Sequence, residues 1–195
     1  MDKFDEIEYE QCLASLKYYD DRHLSLLKFA TGISSAVPPV VYALYNLDVE
    51  TDLDYWNFVI FLSLITALGL SALFVAMIQN RLYFIYPARQ VNSIRKSQFL
   101  GKNPPLFQNQ MYTDVDINAF KWMSSQTLID VFVSFQISFF FGMAHFSMNI
   151  EKFTNTSSMY GSLSVVIIMA LVIFSSSSLY LSTKSKFHPD IGAHQ

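Results

Sequence analysis

Hydrophobic residues are gathered into four long runs that are separated by polar segments. The runs cover about Leu24–Asn46, Tyr55–Ile78, Leu128–Met148 and Tyr160–Leu181, and each has more than 20 residues. At about 1.5 Å of rise per residue, one helix of this length crosses the roughly 30 Å hydrocarbon core of a bilayer. The pattern therefore predicts an all-α integral membrane protein with four transmembrane helices, here called spans one to four.

The polar segments complete the predicted organisation. We expect an N-terminal cytoplasmic helix at 1–23, a hairpin of spans one and two at 24–78, a helical cytoplasmic connection at 79–127, a second hairpin at 128–181 and a tail at 182–195. The N-terminal helix is predicted to be amphipathic and acidic, which disfavours an anionic lipid surface and favours docking on another protein segment. Its apolar face comprises Tyr9, Cys12, Leu13, Leu16 and Tyr19.

Two local features refine these boundaries. Pro38–Pro39 removes two backbone donors in the middle of span one, which predicts a kink. We also expect a helix that runs past Trp122 into span three. Its N-cap could be Thr113, Asp114 or Asp116.

Span three carries a polar stripe. Asp130, Ser134, Ser138, Gly142 and His145 follow one another at steps of four, four, four and three, which places them on one face of a helix. An ionisable group at membrane depth costs about 2.5–3.5 kcal/mol or more, so this face should contact protein or water. Two interpretations stay open: the stripe lines a pore between several copies, or it packs inside the bundle.

Lys28 and Asp130 are predicted to lie at the same inner depth, where they could form a charge pair. The alternative is that each side chain reaches the interface independently. Span one also has a stripe of polar or irregular positions at helical spacing, which indicates a second face that avoids lipid. Its members are Lys28, Thr31, Ser35, Pro39, Tyr42 and Asn46.

Composition and charge agree with a membrane location. The chain is 52% hydrophobic, 16% aromatic and 15% charged, against about a quarter charged residues in a soluble domain. The net charge of −3 gives no electrostatic reason to expect nucleic-acid binding. Residues 1–23 lack the basic and apolar regions of a cleavable signal peptide.

The distribution of basic residues predicts the orientation. Of 13 Lys and Arg, four lie before or within the first turn of span one, six between spans two and three, two after span four, and one, Lys152, in a short turn. We expect the protein to lie in the inner (plasma) membrane. The positive-inside rule then places both termini and the long connection in the cytoplasm.

The connection contains a basic patch formed by Arg89, Arg95, Lys96 and Lys102. Three partners suit it: anionic lipid headgroups, the acidic N-terminal helix, or a negatively charged signal. No glycine loop of the kind that cradles phosphate supports the third.

No catalytic chemistry is apparent. Cys12 is the one cysteine, and the histidines His23, His145, His188 and His194 are not spaced as metal ligands. The chain has no nucleophile elbow, P-loop or dinucleotide fingerprint. We therefore expect no enzyme activity, no metal and no cofactor.

Two segments carry a resemblance: YYDDRHLSLLKFATGISS, which enters span one, and RLYFIYPARQVNSIRK, which leaves span two. In pattern they resemble the edges of the spans in the transmembrane effectors of cyclic-nucleotide anti-phage systems, and the four-span count resembles the membrane subunit of the Kiwa system. The usual effector carries a recognisable sensor domain, which this sequence lacks. The resemblance implies a homo-oligomer in the bacterial inner membrane that either acts as a pore-like, membrane-disturbing effector or, without conducting, recruits a soluble partner through its cytoplasmic helices.

Overall fold

A computed structural model describes residues 3–46, 52–99, 118–149 and 156–186 of the chain. Helix accounts for 93% of these residues, and the described ranges contain no strand. The elements are α1 (Lys3–Tyr45), α2 (Asp52–Phe99), α3 (Ser125–Met148) and α4 (Thr156–Lys184).

Each of the four helices is long and apolar enough to cross a membrane. The qualifying segments are Lys3–Tyr45, Tyr55–Ser97, Ser125–Met148 and Met159–Lys184. The predicted all-α class and the four long apolar helices are therefore confirmed.

Helix α1 joins two elements that the sequence pattern separated. The predicted N-terminal helix and span one form one continuous helix of 43 residues. The sequence contains no Gly or Pro before Gly32, so no residue in the acidic half interrupts the helix. The helix also continues through Pro38 and Pro39.

Helix α1 packs along one side only. Its less exposed residues recur at alternating steps of mostly three and four, the spacing of a helix that keeps one seam against its neighbours. The residues at this spacing are Asp5, Tyr9, Cys12, Leu16, Tyr19, His23, Leu26, Ala30, Ile33, Val37, Val41 and Leu44, and Glu8, Leu27 and Ser34 beside them are also partly buried.

The connection after span two differs from the prediction. Helix α2 runs through Pro87 as far as Phe99, whereas residues 118–124 are not helical. No helix runs past Trp122 into span three, because Ser124 begins α3 as its N-cap: the Ser124 hydroxyl accepts a hydrogen bond from the N–H of Thr127 at 3.2 Å. The expected caps at Thr113, Asp114 and Asp116 lie outside the described residues.

The chain divides into two compact units. The first unit contains the described residues of Met1–Ser25, Met77–Lys121 and Ser178–Gln195. Its helices are connected by polar contacts: Gln79 donates to the Tyr180 hydroxyl at 3.0 Å, and Arg89 donates to the carbonyl of Ser185.

The second unit contains Leu26–Ala76 and the described residues of Trp122–Ser177. Its buried apolar residues include Leu70, Ile137 and Phe140. Aromatic edges add to this packing, with the Trp122 and Phe174 ring centroids 5.9 Å apart.

Candidate functional site

The first half of the polar stripe on α3 is buried. Asp130 and Ser134 are each 1% exposed, and Ser138 is 0% exposed. The hydroxyls of Ser134 and Ser138 each donate at 2.7 Å to the backbone carbonyl four residues earlier. Bonds of this kind satisfy a hydroxyl within its own helix, so these serines need no external partner.

The second half of the stripe contacts α4. Gly142 is buried, and a Cβ atom placed on it would lie 2.2 Å from Cγ2 of Val166. One turn later, Nδ1 of His145 lies 3.0 Å from the hydroxyl of Ser162. The amide of Asn149 donates to the His145 carbonyl at 2.8 Å and closes the end of the helix. Small and polar side chains therefore bring α3 and α4 together here.

Lys28 and Asp130 occupy different surroundings. The Lys28 side chain is exposed on α1, whereas Asp130 is 1% exposed. The charge pair between them stays a prediction.

Whereas the first half of the stripe on α3 is buried, the polar stripe on α1 is exposed. All its members lie on the exposed side of the helix, and the ring of Tyr42 is 70% exposed. They are Lys28, Thr31, Ser35, Pro39, Tyr42 and Asn46.

The tandem prolines add polar backbone to the same region of α1. A helical carbonyl normally accepts from the N–H four residues later, and proline has no N–H. The carbonyls of Ser34 and Ser35 therefore have no helical donor at Pro38 and Pro39. The hydroxyls of the two serines donate to earlier carbonyls, those of Ala30 and Gly32, and leave this deficit in place.

The residues of the predicted basic patch have separate roles. Arg89 is 5% exposed and is held by the Ser185 carbonyl, and Lys96 is exposed. Arg95 donates from Nε and Nη2 to the Tyr9 hydroxyl at 3.3 and 3.0 Å, with its guanidinium 5.6 Å from the centre of the Tyr9 ring. Lys102 lies outside the described residues.

The acidic half of α1 therefore docks on α2, as its apolar face predicted. A second contact supports this: the Gln90 amide donates to a carboxylate oxygen of Glu8 at 2.9 Å. The Arg95 side chain, predicted as part of a basic patch, therefore contacts α1 within the first unit.

Sequence reasoning missed a buried polar cluster in the first unit. Arg81 is 2% exposed and lies 5.8 Å from the ring centre of Phe120. His23 and Asn80 are each 4% exposed, and the Asn80 amide donates to the Tyr19 carbonyl at 2.8 Å. The spacing of Tyr19 and His23, which continues the apolar face of α1, was the available signal.

Metal coordination is not indicated by the geometry. Among the residues that the structure describes, no three His, Cys, Asp or Glu side chains come together in a group that could hold a metal ion.

Comparison of the chain with known protein families, with curated proteins and with solved structures finds no match.

Proposed function

We propose that this chain is inserted in a bacterial inner membrane by its four spans, with both termini in the cytoplasm, and works there as a homo-oligomeric, pore-like component of an anti-phage defence system. The carrying observation is the exposed polar stripe on α1, at Lys28, Thr31, Ser35 and Tyr42 among other positions. The resemblance of the span edges to anti-phage membrane effectors supports the biological setting.

The free energy of burying polar groups in lipid favours an assembly. A charged side chain at membrane depth costs about 2.5–3.5 kcal/mol or more, and backbone carbonyls without donors are tolerated only against protein or water. Lys28 and the carbonyl of Ser35, whose usual helical donor position is Pro39, present both kinds of group on α1. The polar side of α1 is therefore expected to face water or other protein in the working state.

A second copy of the same chain is the simplest protein to cover this side. Copies related by a rotation axis normal to the membrane would each present α1 toward the axis. The stripe on α3 cannot take this role without unpacking, because Asp130, Ser134 and Ser138 are already buried.

The experiment measures permeability and subunit number together. Cells expressing the chain are challenged with phage, and depolarisation and dye uptake are followed, while the purified protein is counted in nanodiscs. We expect more than one subunit per particle and a leak on challenge. Monomers throughout, with no leak in any challenged state, would contradict the proposal.

The alternative function is a non-conducting scaffold that recruits a soluble effector. It is favoured by apolar side chains on the outer side of the acidic half of α1: Phe4, Ile7 and Tyr18 are 69%, 49% and 58% exposed. These residues precede the predicted span one and lie opposite the seam that docks on α2.

Replacing Phe4, Ile7 and Tyr18 by serine separates the two functions. If the chain is a scaffold, the triple variant inserts normally but no longer retains a cytoplasmic partner from infected cells. If the chain conducts, the variant keeps the leak.

A further inference from the structure

We infer that the polar side of α1 lines the aqueous path of the assembly, and that Lys28 makes this path prefer anions over cations. The inference rests on the proposed function, since it requires several copies around a common axis. It names the class of solute that the path admits, which is a small inorganic anion.

The length of the stripe suits a path through most of the membrane. From Lys28 to Tyr42 there are 14 residues, which corresponds to about 21 Å of helix against a hydrocarbon core of roughly 30 Å. Ser35 lies midway between them. All three side chains are exposed in the single chain.

The charge along the path follows from which residues the fold leaves accessible. The four predicted spans contain two residues of fixed charge, Lys28 and Asp130. Asp130 is 1% exposed on α3, so its carboxylate is not available to a path lined by α1. The stripe therefore presents a positive side chain from each copy and no negative one.

A ring of ammonium groups at a constriction attracts anions and repels cations. Lys28 lies about one turn inside the start of span one, where the low-dielectric surroundings leave its field less screened than in bulk water. The acidic residues of 47–54 follow span one in the sequence. Their side chains lie outside the described residues, and the inference assigns the selectivity to Lys28 alone.

Ion flux into vesicles tests the selectivity. Purified full-length protein is reconstituted in phosphatidylethanolamine–phosphatidylglycerol vesicles, and entry of iodide and of thallium is followed with encapsulated dyes. We expect iodide to enter faster than thallium, and Lys28→Glu to reverse the order. The control Lys17→Glu changes an exposed lysine before the span and should leave the order unchanged.

The possible results separate the inference from the proposed function. Flux whose iodide-to-thallium ratio is the same in the parent chain and in Lys28→Glu overturns the inference and leaves the pore intact. Flux of neither ion in vesicles, with a leak in challenged cells, contradicts a path formed by this chain alone and overturns the inference. No leak in either setting overturns the proposed function as well.

Thiol labelling tests the lining separately from the flux. In a Cys12→Ser background, Ser35→Cys and Ala36→Cys place a thiol at nearly the same depth but about 100° apart around α1, and both positions are exposed. Methanethiosulfonate reagents that are soluble in water should modify position 35 faster than position 36, with the anionic reagent faster than the cationic one. Equal modification of the two positions would show that position 35 is no more accessible to water than position 36, and would overturn the inference whatever the flux.

Discussion

Gly142 is the position where one added methyl group should have the largest effect on the packing of α3 against α4. In Gly142→Ala the new Cβ would lie 2.2 Å from Cγ2 of Val166, with the Ser162 carbonyl oxygen at 3.5 Å and the Val166 Cβ at 3.6 Å. The first distance is far below van der Waals contact, whereas the other two are ordinary contacts. Since valine is stiff at χ1, the helices must shift or the Val166 side chain must leave its rotamer.

The expected cost follows from these distances. Overpacking of a well-packed site costs about 1–3 kcal/mol, and replacing a helical glycine by alanine returns up to about 1 kcal/mol of propensity. We therefore expect Gly142→Ala to destabilise the fold by about 1–2 kcal/mol. Val166→Ala removes the clashing Cγ2 atom, so the double variant should recover most of this loss, with a coupling free energy of about 1–3 kcal/mol.

Unfolding by sodium dodecyl sulfate in mixed micelles, followed by circular dichroism, measures these differences. Gly69→Ala on α2 is the matched control, because a Cβ there meets nothing within 4 Å. It should be neutral or slightly stabilising. The reasoning is refuted if Gly142→Ala unfolds at the same detergent fraction as the parent chain, or if Val166→Ala adds to its defect instead of relieving it.

Three further predictions concern polar contacts and orientation. His145→Ala should cost about 1 kcal/mol by losing the 3.0 Å hydrogen bond to Ser162, and it should be non-additive with Ser162→Ala in the same unfolding assay. Tyr9→Phe removes the acceptor for Arg95 but keeps the ring, so amide exchange in the acidic half of α1 should accelerate modestly, by less than about tenfold. Cys12, which is half-buried, should react with an impermeant maleimide in inverted membrane vesicles and not in intact spheroplasts.

Each of these has a contrary result. Additive effects at His145 and Ser162 would mean that the two side chains do not interact. Unchanged exchange in Tyr9→Phe would mean that the hydroxyl contributes nothing to docking of α1 on α2. Labelling of Cys12 from outside intact spheroplasts would reverse the proposed orientation.

The buried polar groups explain how one chain can carry two stripes with different roles. On α3, the serine hydroxyls are satisfied by their own helix and Gly142 allows α4 to approach closely. On α1, the tandem prolines remove the usual helical donors to the carbonyls of Ser34 and Ser35. One stripe is suited to enclosure within a chain, and the other is suited to water or to a second copy.

The four apolar helices could be predicted from the sequence. Predominantly apolar runs of more than 20 residues leave few alternatives to helix, and the run at Leu128–Met148 matches α3, Ser125–Met148, within three residues. The sequence also indicated a face of the acidic half of α1 that docks on α2. Both results depend on local periodicity, which is read within a few turns of one helix.

Which polar face is enclosed depends on the packing of the helices and could not be predicted from the sequence. Helical spacing identifies the residues that share a side of a helix but not the neighbour on that side, so the stripes that contain Asp130 and Lys28 were equivalent in the sequence. Asp130 in the stripe on α3 is 1% exposed, whereas Lys28 in the stripe on α1 is exposed. The cap at Ser124 likewise depends on a choice among competing caps, and the burial of Arg81 depends on contacts between residues distant in sequence, which no local pattern specifies.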